Sequence, residues 1–216
     1  MRVLDLLLPP ACAGCGQVGS PFCPACLAAL RAPSVAIDRF VAPDAAVVLG
    51  ESLSLAMAAF AYGGPLRRAL SALKYVGASR VVPAMAAAAV PALAAIIGVS
   101  GPAVLVPIPV HSERLRSRGY NQAELIAREL GRRSGLAVEP LLQRLRPTTK
   151  QHQLDRAARL ANLRGAFGIN AVDTVPVTVI LVDDIVTTTA TLEACASVLR
   201  AAGVQEVYGF AVAREV

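Results

Sequence analysis

The chain has 216 residues, is 55% hydrophobic and 4% aromatic with no tryptophan, and carries a formal charge of +6. That length suits one substantial α/β core with a small appended module, and so few aromatic residues argue against an extended base-stacking surface. The charge is uneven: residues 111–165 hold 12 Lys and Arg against 5 Asp and Glu, a balance that fits a pyrophosphate-like polyanion or nucleic acid without separating them.

The first ten residues contain Arg2, an early Asp5 and a short apolar run cut by Pro9 and Pro10, a poor match to a secretory leader. Cys12-x-x-Cys15 and Cys23-x-x-Cys26 follow, with Gly14 and Gly16 beside Cys15. Two such pairs predict a tetrahedral four-sulfur site, for which Zn²⁺ in a structural role is the default, rubredoxin-like iron the alternative and a disulfide pair disfavoured in a reducing compartment. Residues 31–43 read as a connector. Residues 45–49 and 53–62 read as two strands around Gly50-Glu51-Ser52, arranged as a hairpin. Gly63-Gly64-Pro65 opens a helix with Leu66, Ala69, Leu70 and Leu73 on one face. Lys74 at its end reads as a solvated lysine.

The uncharged stretch 81–110 is long enough to cross a bilayer, but Pro83, Pro91, Gly98, Gly101, Pro102, Pro107 and Pro109 interrupt it. It reads instead as an Ala-rich helix followed by a buried strand at 103–108, so no membrane span and a cytoplasmic location are expected. Arg114, Arg116 and Arg118 are expected in a turn before a helix that Asn121 caps. Residues 137–140 read as a short strand. Residues 144–167 are polar and basic, with no apolar periodicity until Leu160, the pattern of a functional or mobile loop.

Residues 177–182 form a continuous apolar and β-branched run, which predicts a central parallel strand buried on both faces. Asp183 and Asp184 follow, then Ile185, Val186 and the hydroxyl-rich turn Thr187-Thr188-Thr189-Ala190-Thr191. Leu192, Cys195, Ala196 and Leu199 then recur at helical spacing, with Cys195 read as a buried core thiol. A strand ending in acids, a hydroxyl loop and a helix N-terminus can hold a phosphate on backbone N–H groups and a sugar diol on carboxylates. A last strand is expected at 205–212.

The 177–191 stretch resembles the phosphoribosyl pyrophosphate (PRPP) signature of type I phosphoribosyltransferases, with Thr189 where the signature normally has Gly. A Gly there adopts positive φ or lets the backbone approach the anion, so Thr189 is expected either to distort the loop or to project a further hydroxyl. Three more stretches extend the likeness: the paired CxxC knuckles; Val106-Pro-Ile-Pro-Val with Arg114 and Arg118-Gly-Tyr-Asn-Gln122; and Arg146, Thr148, Gln151, Leu154, Arg159 and Asn162 with Gly165-Ala-Phe167. Together they resemble the ComF family, phosphoribosyltransferase-like proteins associated in some bacteria with competence and DNA uptake.

The resemblance implies an α/β fold, a parallel sheet flanked by helices, over residues 44–216, and a zinc module with its connector over residues 1–43. It implies that Asp183 and Asp184 meet the ribose hydroxyls and the Mg²⁺ shell of PRPP or another phosphorylated ribose. Thr187, Thr188, Thr189, Ala190 and Thr191 would cradle the 5′-phosphate. Pro109, Val110 and His111 would form the pyrophosphate loop beside Arg114 and Arg118, and Arg146, Thr148, Gln151 and Arg159 would belong to a flexible lid. Single-stranded DNA and a protein of the competence machinery are the implied partners, with nucleotide salvage and a nucleic-acid adaptor as other readings. Because the sequence stops soon after its last strand, any hood over an acceptor is expected from the N-terminal module and hairpin.

Overall fold

Residues 9–32, 51–146, 163, 165–171 and 174–215 are described by the computed structural model. In chain order the elements are α1 (Pro24–Ala28), β1 (Leu55–Ala61), α2 (Gly64–Tyr75), a 3₁₀ turn (Ser79–Val81), α3 (Val82–Ser100), β2 (Val104–Pro107), α4 (Ser112–Arg118) and α5 (Gln122–Ser134). Then come β3 (Leu142–Arg144), β4 (Phe167–Ile169), β5 (Thr178–Val186), α6 (Ala190–Ala201) and β6 (Glu206–Arg214).

The main sheet has the order β1-β6-β5-β2 and is parallel throughout. The apolar run read at 177–182 lies at its centre, with Val179, Ile180, Leu181 and Val182 fully buried. Alternation divides that run between two cores. Ile180 and Val182 pack with Leu70 and Leu73 of α2, Leu93 of α3 and Ile126 of α5. Val179 and Leu181 pack with Leu192, Cys195 and Leu199 of α6 and Phe167 of β4. Each such side chain taken out of water contributes about 1.5–3 kcal/mol, so helices on both faces are what a strand without polar alternation requires.

Several expectations need correction. β1 pairs in parallel with β6, and the arm expected at 45–49 lies outside the described residues, as does the boundary at 43–44. The Ala-rich helix and the strand expected after it are present as α3, with Pro91 inside it, and β2. Residues 137–140 supply only an isolated bridge, Val138 to Leu105. Arg114, Arg116 and Arg118 belong to a helix, α4, rather than to a turn. The two ends of the basic loop pair with each other, Arg144 opposite Phe167 in the antiparallel β3–β4 ribbon.

Residues Ser79–Ser100 are the one stretch among the described residues long and apolar enough to cross a membrane, with a mean hydropathy of 2.1 over its most apolar window. Met85, Ala89, Leu93 and Ile96 along it are fully buried in the helix-covered core, as in the core helix of a folded α/β domain.

Candidate functional site

The C-terminal ends of β2 and β5 open into a cleft of about 630 Å³, and Asp183, Asp184, Arg114, Arg118 and Arg144 all line it. Strand alternation sends the two acids to opposite faces. Asp184 is buried, and its Oδ2 lies 2.8 Å from Lys74 Nζ at the end of α2, off the direction a hydrogen bond requires. The lysine read as solvated therefore forms an ion pair inside the cleft; nothing in the local spacing signals it, because the partner lies on another strand. Asp183 is half-buried on the α6 side. Burial first, and then the charge of Asp184, push its carboxyl up to about 8 against the opposing pull of Lys74.

Residues 187–191 leave the strand as a tight loop and start α6. Thr189 is its N-cap and has φ 51°, the one positive φ outside glycine among the described residues. The left-handed backbone a Gly would supply is kept, and the Thr189 hydroxyl donates to the Thr188 carbonyl at 2.7 Å. The first helical bond runs from Glu193 N–H to Thr189 O, so the loop's own N–H groups precede the helix ladder, where an anion is favoured. Asp183 and residues 187–192 enclose a small cavity of about 40 Å³, and Thr191 lines both this cavity and the larger cleft.

The opposite wall is basic. Pro109 and Val110 lead from β2 into α4, which carries Arg114 and Arg118 to the cleft. His111 caps α4 instead, its Nδ1 accepting from Glu113 N–H at 3.4 Å, with the Glu113 carboxylate 3.6 Å away. Gly119, at φ 82°, stops α4. Asn121 caps α5 as expected, accepting from Ala123 N–H at 3.1 Å while its amide donates to Ile108 O at 2.9 Å. Gln122 also lines the cleft, with its Oε1 buried and without a hydrogen-bond partner among the described residues.

Arg144, read as the start of the functional loop, instead sits in β3 and lines the cleft. It lies over the Phe167 ring at 5.2 Å, and burial, then the charge of Arg114, lower its pKa. Two arginines that repel each other across a cleft fit an anion between them. Of the expected lid residues Arg146 is described, whereas Thr148, Gln151 and Arg159 lie outside the described residues.

The four N-terminal thiols converge, all Sγ atoms lying within 4.8 Å of one another. Cys12 and Cys26 are 3.7 Å apart and Cys15 and Cys23 3.6 Å. A Zn–S distance of about 2.3 Å places tetrahedral sulfurs roughly 3.8 Å apart, so the residues fit a zinc ion and not a disulfide. Gly14 and Cys23 N–H groups donate to Cys12 Sγ at 3.3 Å. Burial raises the Cys12 pKa, but N–H groups from Cys23, Cys15 and Gly14 outweigh it and bring the thiol to about 6, favouring the thiolate that metal binding requires. The strand-end acids differ: Asp184 is already paired with Lys74, and burial with the charge of Asp184 favours the protonated Asp183 carboxyl, so they do not fit a chain-held Mg²⁺.

No family model matches the chain. It is 34% identical over 116 residues to "Competence protein F" of Haemophilus influenzae, covering 52% of this chain and 51% of the relative. It is also 34% identical over 106 residues to "DNA utilization protein YhgH" of Salmonella typhimurium, covering 47% and 45%. The protein of that name from Salmonella typhi matches equally. The chain spans about half the length of these curated relatives. They bear out the resemblance read from the motifs.

Proposed function

We propose that this chain is a ComF-like protein that binds PRPP, or another phosphorylated ribose, and serves DNA uptake or DNA handling in the cytoplasm. The names of its relatives support the link to competence and DNA use. The observation that carries the ligand is the union, in one cleft, of the β5 acids, Thr191 from the helix-starting loop and the arginines of α4 and β3. The loop's N–H groups take the 5′-phosphate, Asp183 and Asp184 accept from the ribose hydroxyls, and Arg114, Arg118 and Arg144 take the pyrophosphate.

Mg²⁺ would compensate charge on PRPP when bound, but this chain's part needs no metal on its own acids. Asp183 favours a second reading, an active phosphoribosyltransferase. A carboxyl held near 8 in the cleft can pass a proton near neutral pH. In that reaction the C1–O bond to pyrophosphate breaks with its electron pair leaving on oxygen. The acceptor's lone pair forms the new bond to C1, and Asp183 takes the acceptor proton. The cleft arginines stabilise the departing charge.

Binding of PRPP, ribose 5-phosphate and inorganic pyrophosphate, each measured with and without Mg²⁺, tests the ligand. PRPP tighter than either half is expected; no binding of any of the three overturns the reading. Pyrophosphate release with a panel of nucleobases and amines decides between binding alone and turnover.

A further inference from the structure

The four thiols of the knuckle are not equivalent. Cys12, Cys23 and Cys26 are buried, whereas Cys15 is exposed. Cys12 Sγ accepts from the N–H groups of Gly14 and Cys23 at 3.3 Å, and such bonds draw charge from a thiolate. Cys15 Sγ accepts from no backbone N–H group among the described residues and meets Cys23 Sγ at 3.6 Å. Metal binding keeps the ligand sulfurs as thiolates. The thiolate that combines exposure with the least hydrogen bonding is the one an oxidant reaches and attacks first.

The chain between Cys15 and Cys23 also has room to move. Gly16 and Gly19 lie there at φ 82° and 119°, with nothing within 4 Å of a Cβ built on either. Closing the 3.6 Å gap to an S–S bond of about 2 Å meets little packing on this side. On the other side Cys12 and Cys26 are set in the core with Phe22, Leu66 and Leu70.

We propose that Cys15 is a redox-modification site resolved by Cys23: hydrogen peroxide oxidises Cys15, and the two sulfurs close a disulfide that gives up the zinc. The Cys15 thiolate attacks one peroxide oxygen; an S–O bond forms, and the O–O bond breaks with its electron pair leaving as hydroxide. The Cys23 thiolate then attacks the Cys15 sulfur; the S–S bond forms, and the S–O pair leaves as a second hydroxide. Two thiolates thus lose two electrons and the peroxide gains them. Cys12 and Cys26 remain, too few to close a tetrahedral site. Because the knuckle shares its core with α2, the stability of that helix follows the redox state. None of this depends on what the cleft binds.

The full-length, zinc-loaded protein is treated with hydrogen peroxide. Zinc release is followed with a metallochromic indicator, and samples quenched early are mapped by differential alkylation and mass spectrometry. Zinc should leave in step with one new disulfide, Cys15 to Cys23, while Cys12, Cys26 and the buried Cys195 stay reduced. Dithiothreitol followed by zinc should restore the Tm. Cys15→His keeps a zinc ligand but no sulfur to oxidise, so its zinc should leave at least about tenfold more slowly. Cys195→Ala should release zinc at the unchanged rate. If Cys15→His does not load zinc, the disulfide map of the unchanged protein decides. The Cys15–Cys23 bond formed in protein isolated without zinc upholds the reactive pair and fails the structural-zinc reading. A first disulfide between Cys12 and Cys26, or oxidation of another thiol ahead of Cys15, overturns the proposal. So does Cys15→His losing zinc as fast as the unchanged protein, or the unchanged protein keeping its zinc and reduced thiols under peroxide that oxidises a free-thiol peptide.

Discussion

Thr189 holds a backbone conformation that costs a β-branched residue about 1–2 kcal/mol. Because its hydroxyl is engaged by the Thr188 carbonyl and the loop keeps its path, Thr189→Gly should raise stability by about 1 kcal/mol after the larger unfolded-state entropy of Gly offsets part of the relief. Chemical denaturation measures this, and no gain would mean that packing of the buried Thr189 side chain outweighs the strain. PRPP affinity should shift by less than about threefold, since the N–H directions already match those a Gly would give. Asp183 makes a pH prediction. Its folded pKa is raised to about 8 from 3.8, so its contribution to stability is whole below about pH 4 and is lost as pH rises through about 8. Asp183→Asn should therefore raise the Tm relative to the unchanged protein at about pH 8, with no such gain at about pH 4. Equal gains at both would place the carboxyl outside the low-dielectric site. These acids and the threonine loop were legible because strand, acids and helix start are contiguous. Lys74 was not, because what makes it part of the cleft is a contact with a distant strand, and Arg144 was read as loop because its pairing with Phe167 spans a long polar segment.

Among the elements, the zinc knuckle and α2 act together. Gly14 O accepts from Arg68 Nε on α2, and Cys12, Cys23, Cys26 and Phe22 share one core with Leu66 and Leu70. A Cβ on Gly14 would lie 2.7 Å from Cys26 Sγ and 3.0 Å from Pro65 Cβ, so Gly14→Ala is expected to weaken metal binding and destabilise the fold together. The protein purified without added metal should hold one zinc per chain, and a chelator should lower its Tm. A metal content near zero, with Cys12→Ser leaving the Tm unchanged, would contradict a structural zinc. The knuckle, α2, α3, β5 and α6 were readable from cysteine spacing, breakers and hydrophobic period. α4 was not: none of its residues is buried, and Leu115 is 44% exposed, so no apolar stripe marks it. It is delimited instead by the His111 cap and the left-handed Gly119. The β3–β4 ribbon escaped for another reason, since three-residue strands joined across a long polar segment leave no pattern.

At the scale of the molecule, the parallel sheet gathers groups far apart in sequence at one end, and charge decides what they receive. The basic segment 111–165 should give any single-stranded DNA affinity a steep salt dependence, shallower when Arg156 and Arg159 become Ala. An unchanged slope would place that surface elsewhere, as on the zinc module. The central claim is that the cleft is a phosphorylated-ribose site. Calorimetric titration of the full-length protein with PRPP tests it, run beside Arg118→Ala and Asp184→Asn. Loss of one charge-assisted hydrogen bond is worth about 1.5–3 kcal/mol, so each variant should bind PRPP roughly tenfold more weakly or worse, with its zinc content unchanged. Heats of PRPP binding that are the same in all three proteins, or absent from the unchanged one, would contradict it.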